Sequence, residues 1–344
     1  MKFRDVQRKW FYFLTIFAAL FAVAAVQAAS DEGALVVTAS NAAANQLLVF
    51  NPNGKLLQTV PTQGQGGAGG NSGGIETKDN LVAVVNFGSK TVSILEREGN
   101  SFHVKQLIPT ASSPLSVAFG AKHLFILGTT TIESHRMFES SISASADGVV
   151  ALLKADGSAA QVGVLPDQLI VTEKSNAIET VSLLEDGSVT GFPKSVMNIP
   201  ANVSAPFGLV TRGNDAYVSI AHADEISLVR NADVLTVTST GAQHAPCWLA
   251  LDGPFLFSTN TASMTISRFA VYGQKIIPDA VIAAHTDGGP TDIASTSRLL
   301  AVIDANSRTS HVSIFNIDED GNLSLRASVA VASANGMAIV RGED

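Results

Sequence analysis

The sequence predicts an all-β fold, a seven-bladed β-propeller, and three observations carry that prediction. An apolar run of the form hydrophobic-x-hydrophobic opens at Leu35, Leu81, Leu124, Leu169, Ala216, Phe255 and Leu299, at spacings of 46, 43, 45, 47, 39 and 44 residues. A second kind of segment precedes most of these runs: Pro114-Leu-Ser-Val-Ala-Phe, Pro206-Phe-Gly-Leu-Val, Pro246-Cys-Trp-Leu-Ala-Leu and Pro290-Thr-Asp-Ile-Ala. Hairpin turn residues recur at matching places, as Asn51-Pro-Asn-Gly, Glu185-Asp-Gly and Asp318-Glu-Asp-Gly. A repeat of roughly 40 to 50 residues built from short strands is the mark of one four-stranded blade.

Each blade needs an innermost, a second, a third and an outermost strand. The innermost strands are expected near 74–78, 114–119, 160–164, 207–211, 247–251, 291–295 and 336–340. The seven apolar runs are then the second strands. Third strands follow at 46–50, 91–96, 149–154, 178–184, 226–230, 265–270 and 311–317. The first apolar run therefore lacks an innermost strand, and the last innermost strand lacks a blade. Pairing the two chain ends in one blade closes the ring and removes an open sheet edge. One blade departs from the pattern. A long insertion, residues 128–147, separates its second and third strands, and its outer strand is expected to be short or missing. The insertion reads as a surface loop or as a lid over the channel mouth.

Composition narrows the function. Residues 33–342 form one domain, because a repeat array of this period is a single closed unit. The net charge is −8; Lys2, Arg4, Arg8 and Lys9 against Asp5 give the first 28 residues +3, which leaves −11 on the remainder. An acidic body argues against nucleic acid or an anionic membrane as partner. Residues 1–28 read as a secretory signal: a basic start, an uncharged run from Trp10 to Val26, then small residues before Ala29. A retained single-span anchor is the alternative, since that run reaches the lower limit of membrane-spanning length. Cys247 is the only cysteine, so no intrachain disulfide exists, and it reads as a small buried hydrophobe.

Gly64-Gln-Gly-Gly-Ala-Gly fits G-x-G-x-x-G, but no helix pattern follows it. It is read as a flexible connection rather than a nucleotide site. None of the seven histidines forms a close pair at ligand spacing, so no zinc site is expected. Propellers gather the loops after their second strands at one face. Glu173, Asp224, Asp304, Asn86 and Asn260 all lie at such ends, and His222 lies nearby. No cofactor is implied, although oxygens at these ends are compatible with a calcium ion in the channel. Capping of tight turns is the alternative use of the same residues.

Leu169-Ile-Val-Thr-Glu-Lys-Ser-Asn-Ala-Ile, Ala205-Pro-Phe-Gly, Ala245-Pro-Cys-Trp and Gly289-Pro-Thr-Asp-Ile-Ala resemble the lactonase-type seven-bladed propellers. That group includes cycloisomerase-type 6-phosphogluconolactonases and fungal carboxymuconate lactonizing enzymes. The resemblance covers residues 33–342 and implies a lactone site on the channel axis, with Glu173 as catalytic base and Asn260 as oxyanion donor. It also implies a His-Pro-His start to one innermost strand, where this chain has Ala159-Ala-Gln-Val, and Asn-Arg-Gly, where it has Asn260-Thr-Ala. His135 and Arg136, on the insertion, are the candidates to replace those lost side chains. The expected function is a secreted, or periplasmic, monomeric propeller. It binds a small molecule or extracellular partner at the axial mouth through Asn86, Asn260, Asp304, His222, His135 and Arg136, with lactonase chemistry weakened or lost. The alternative is a working hydrolase of an extracellular sugar-acid lactone.

Overall fold

The computed structural model describes residues 33–341, apart from 140, 197–204, 297 and 307–308. The expected secretory signal, residues 1–28, lies outside the described residues. Blade 1 holds β1 (Leu35–Ala39), β2 (Gln46–Phe50) and β3 (Leu56–Pro61); blade 2 holds β4 (Ile75–Lys78), β5 (Leu81–Asn86), β6 (Thr91–Glu98) and β7 (Ser101–Pro109). Blade 3 holds β8 (Pro114–Phe119), β9 (His123–Gly128), β10 (Thr131–Phe138), β11 (Ser141–Ile142) and β12 (Gly148–Ala151). Blade 4 holds β13 (Ala159–Val164), β14 (Gln168–Glu173), β15 (Ala177–Ser182) and β16 (Lys194–Val196). Blade 5 holds β17 (Pro206–Arg212), β18 (Asp215–Ile220), β19 (Glu225–Arg230) and β20 (Asp233–Ser239). Blade 6 holds β21 (Pro246–Asp252), β22 (Phe255–Asn260), β23 (Thr265–Tyr272) and β24 (Lys275–His285). Blade 7 holds β25 (Gly289–Thr296), β26 (Leu299–Ala305), β27 (Ser310–Ile317) and β28 (Leu323–Val331). Every pairing is antiparallel, and no helix occurs among the described residues.

The last strand, β29 (Asn335–Val340), completes blade 1 by pairing with β1, from Leu35 opposite Val340 to Ala39 opposite Asn335. The ring is thus sealed by its two chain ends, as the sequence predicts. Arg97, near the end of β6, reinforces the seal. Its buried guanidinium donates to the carbonyls of Gly33 (2.6 Å) and Arg341, one at each end of the described chain.

The second strands read as unbroken apolar runs because both their faces are covered. Val36 of β1 packs in the seam toward blade 7, while its neighbour Val37 packs in the seam toward blade 2. Ala83 and Val84 of β5 divide in the same way between the seams on either side of blade 2. Period-2 alternation therefore serves two seams rather than one core face and one wet face. Each fully buried valine or leucine contributes about 1.5–3 kcal/mol through removal from water.

Blade 3 corrects one expectation. The supposed insertion is the third strand itself: β10 pairs β9 from Ile132 opposite Leu127 to Arg136 opposite His123. The segment expected as the third strand is β12, the outer strand, paired to β10 from Thr131 opposite Ala151 to Ser134 opposite Gly148. The pattern hid β10 because three consecutive buried side chains are polar. Glu133 accepts from the Ala111 amide (2.7 Å), Ser134 donates to Asp147 (2.7 Å), and His135 Nδ1 lies 3.0 Å from the Ser143 carbonyl oxygen.

Candidate functional site

The upper face carries the turns between second and third strands together with the connectors that enter each new blade. At this edge one polar position recurs. In blade 2, Asn86 ends β5 opposite Thr91, and its Nδ2 donates to Ser93 Oγ (2.7 Å) and Thr91 Oγ1 (3.3 Å). Its Oδ1 accepts from Thr62 (2.8 Å) and Asn45 (3.0 Å), side chains of blade 1 and its connector. In blade 6, Asn260 repeats this with Thr265 (3.1 Å) and Ser267 (2.8 Å). In blade 7, Asp304 accepts from Ser313 (2.9 Å) and lies 3.4 Å from His311 Nδ1; burial pushes its carboxyl up. These side chains are spent on fastening the blade edge, which is the turn-capping use of such residues.

Blade 4 breaks the series. Glu173 stands where blades 2 and 6 have asparagine, opposite Ala177, and Glu179 stands where they have serine. Both glutamates are fully buried. Glu179 accepts from the amides of Leu153 (3.1 Å) and Lys154 (3.0 Å), which belong to the connector from blade 3. Glu173 Oε2 accepts from Ser158 Oγ (2.7 Å), while its Oε1 has no hydrogen-bond partner. Burial, with a smaller contribution from the Glu179 charge, pushes the Glu173 carboxyl up to about 7.

At the hub, the segment that the sequence reads as a flexible connection is bonded to several blades. Residues 64–74 cross the upper mouth of the axis as a roof. Trp248 Nε1 of blade 6 donates to the Asn71 carbonyl (3.1 Å), and Asn71 Nδ2 donates to the Leu115 carbonyl of blade 3 (2.6 Å). Asn335 Nδ2 of blade 1 donates to Asn71 Oδ1 (3.0 Å), and Lys174 of blade 4 donates to the Gly70 carbonyl (2.6 Å). The glycines permit close approach: a Cβ at Gly66 would lie 2.3 Å from the Asn41 carbonyl carbon, and one at Gly64 would lie 2.2 Å from Asn86 Cγ.

Below the roof lies an axial cavity of about 210 Å³, walled by Glu76, Gln161, Asp292 and apolar residues of the innermost strands. Glu76 and Asp292 are each pushed up to about 7, chiefly by burial, and Asp292 also feels the Glu76 charge. Thr77, Ser295 and Ile339 are shared with a second cavity of about 590 Å³ at the lower mouth, where Arg97 and Arg341 add positive charge. A signal for this acidic pair exists in the chain itself, since Glu76 and Asp292 sit in segments expected as innermost strands.

The remaining candidates do not gather with Glu173. His222 is exposed in the turn between β18 and β19 of blade 5. His135 is buried within β10, beside Glu133. Arg136 lies toward the lower end of β10, opposite His123, and its guanidinium pairs with Asp186 (2.5 Å). Residues 128–147, read in the sequence as a surface loop or a lid, are therefore corrected: His135 and Arg136 belong to a strand that runs away from the face holding Glu173. Among the described residues no group of three or more His, Cys, Asp or Glu side chains is placed to hold a metal ion. Asp224 instead bonds His244 (2.7 Å) and the Ala245 amide (2.8 Å). Cys247 packs beside Trp248, and burial pushes its thiol up to about 11.

No family model and no curated protein sequence matches the chain. Solved structures do. A protein of unknown function from Desulfotomaculum acetoxidans superposes with a TM-score of 0.67 at 13% identity, covering 90% of this chain and 99% of that one. A Bacteroides fragilis protein provisionally assigned as a 6-phosphogluconolactonase gives 0.65 at 15%, covering 90% and 98%. The periplasmic gluconolactonase of Pseudomonas aeruginosa gives 0.64 at 16%, covering 90% and 99%. At these identities the likeness is one of architecture. The chain has the fold of the lactonase-like seven-bladed propellers.

Proposed function

We propose that this is an extracytoplasmic propeller that binds a small ligand or partner at its hub, on a lactonase-like scaffold that has lost lactone hydrolysis. The carrying observation is the state of Glu173. Lactone opening needs a base that reaches water and donors around the developing oxyanion. Glu173 is fully buried against a second acid, and the adjacent Lys174 ammonium is held by the carbonyls of Gly70 (2.6 Å) and Ala159 (2.9 Å). Asn260 is engaged within its own blade, and the roof covers the upper mouth. The ligand enters from the lower mouth instead, toward Glu76 and Asp292. The order of charge and apolarity over residues 1–28 supports placement outside the cytoplasm, and the periplasmic P. aeruginosa neighbour is consistent with it.

One observation favours the rival reading of an active hydrolase. A carboxyl near 7 with an unpartnered oxygen is suited to general base work. A panel of sugar-acid lactones, 6-phosphogluconolactone among them, separates the two. The proposal expects no hydrolysis above the uncatalysed rate. Turnover that disappears in Glu173→Gln would overturn it.

A further inference from the structure

The upper edge of six blades can be compared position by position, because the registers of second and third strands align. The position two residues into the third strand, three in blade 7, is Ser93, Glu133, Glu179, Ser227, Ser267 and Ser313 in blades 2 to 7. The facing end of the second strand is Asn86, Gly128, Glu173, Ile220 and Asn260 in blades 2 to 6, and the residue before the end, Asp304, in blade 7. Blades 2 and 6 set an amide donor against a hydroxyl. Blade 3 sets its carboxylate against a glycine, and blade 7 sets a carboxylate against a hydroxyl that donates to it. Only blade 4 of these six sets acid against acid, with both side chains fully buried.

Glu179 cannot supply the missing donor. Its oxygens already accept two backbone N–H groups from the connector at Leu153 and Lys154, a job that Glu133 performs for Ala111 in blade 3. Glu173 Oε1 is left buried and unpartnered, an arrangement that is costly for a neutral carboxyl and far more so for a charged one. A proton on Glu173 removes the buried like charge and provides the donor that Asn86 and Asn260 carry on Nδ2.

We propose that the seam between blades 3 and 4 is a protonation-gated latch, closed when Glu173 carries a proton facing Glu179 and loosened at the 152–158 connector when that proton leaves. The groups that face Glu173 fit this use. Glu179 on β15 and Asp156 on the connector both disfavour its charge; Lys174, next in the chain, favours it, as does the hydroxyl of Ser158. Ser175 bonds Ser158 (2.7 Å), and Lys154 acts on Glu179. Lys174 is turned toward Gly70 and Ala159 and itself has a lowered pKa through burial. The latch does not depend on what the hub binds, and it is read by stability rather than by turnover.

The test is thermal melting between pH 5 and 8 of the full chain, Glu173→Gln and Glu179→Ser, each with added calcium and with chelator. The amide introduced by Glu173→Gln keeps a donor at every pH. That variant should melt close to the parent at pH 5, melt above it at pH 8, and show a flatter profile. Glu179→Ser recreates the serine of blades 2 and 6, removes the facing charge, and should shift the midpoint of the parent's loss. It keeps the test decisive if Glu173→Gln does not fold. Amide exchange at Leu153 and Lys154 should accelerate from pH 5 to 8 in the parent beyond the intrinsic rise, and not in Glu173→Gln. Melting profiles that run parallel for parent and both variants would overturn the latch. So would a calcium-dependent rise at pH 8 that Glu173→Gln abolishes, since a cation would then fill the seam.

Discussion

The edge of blade 2 and the edge of blade 4 solve the same problem with opposite chemistry. At blade 2, Asn86 makes four side-chain bonds that reach its own third strand and the preceding blade. Every one of these partners is neutral, so the fastening is indifferent to pH. At blade 4 the connector is held by a carboxylate, Glu179, and the facing position is a second carboxyl whose state depends on the solution. One scaffold position therefore serves as a plain fastener in one seam and as a titratable one in another. A residue that resembles a catalytic base in sequence can be a seam residue in the fold.

The comparison can be broken most severely at the closure, the one seam made by both chain ends. Truncation after Ala334 removes β29 and exposes the inner edge of β1 along its whole length. It is expected to abolish cooperative unfolding in a calorimeter; an unchanged melting temperature would show that the ends do not pair. The amide seam comes next. Asn86→Ala removes four side-chain hydrogen bonds at once, while Thr62, Asn45 and Ser93 each keep one other partner, and should cost about 2–4 kcal/mol in denaturant titration, with equal effect at pH 5 and pH 8. Asn260→Ala should cost less, because Asn260 Oδ1 has no partner to lose.

The pH profile of the parent is a subtler effect. Glu173, Glu76 and Asp292 are held near 7, against ordinary values of 4.5 for glutamate and 3.8 for aspartate. The folded state therefore binds their protons more tightly than the unfolded chain does. Their contribution is complete below about pH 4 and is lost as pH rises through 7. Melting temperature should fall from pH 5 to pH 8, and the fall should shrink in steps through Glu173→Gln and Glu76→Gln. The smallest expected signal is at Cys247. A thiol near 11, packed beside Trp248, should resist alkylation at pH 8 in the native protein and label fully in denaturant.

Much of the architecture was legible because a two-sided seam forces an apolar second strand in every repeat. Leu299-Leu-Ala-Val-Ile needs no context to be read that way. β10 was not legible, because Glu133, Ser134 and His135 are buried through hydrogen bonds to Ala111, Asp147 and Ser143, and periodicity does not register such partners. The bonds of the roof were not legible for a related reason. Its glycines suggest freedom, while its shape comes from bonds such as Trp248 to Asn71, 177 residues apart. Glu173 is legible as a carboxylate at the end of a second strand, but its burial against Glu179 emerges only when the registers of β14 and β15 are known.

The most direct measurement is a carboxyl-carbon NMR titration of protein labelled at its glutamate side chains, recorded for the parent and for Glu173→Gln. Two resonances, from Glu173 and Glu76, should titrate with midpoints near 7, and one of them should vanish in the variant. If the resonance lost in Glu173→Gln titrates in the ordinary glutamate range instead, the carboxyl is neither buried nor opposed by Glu179, and the acid seam does not exist.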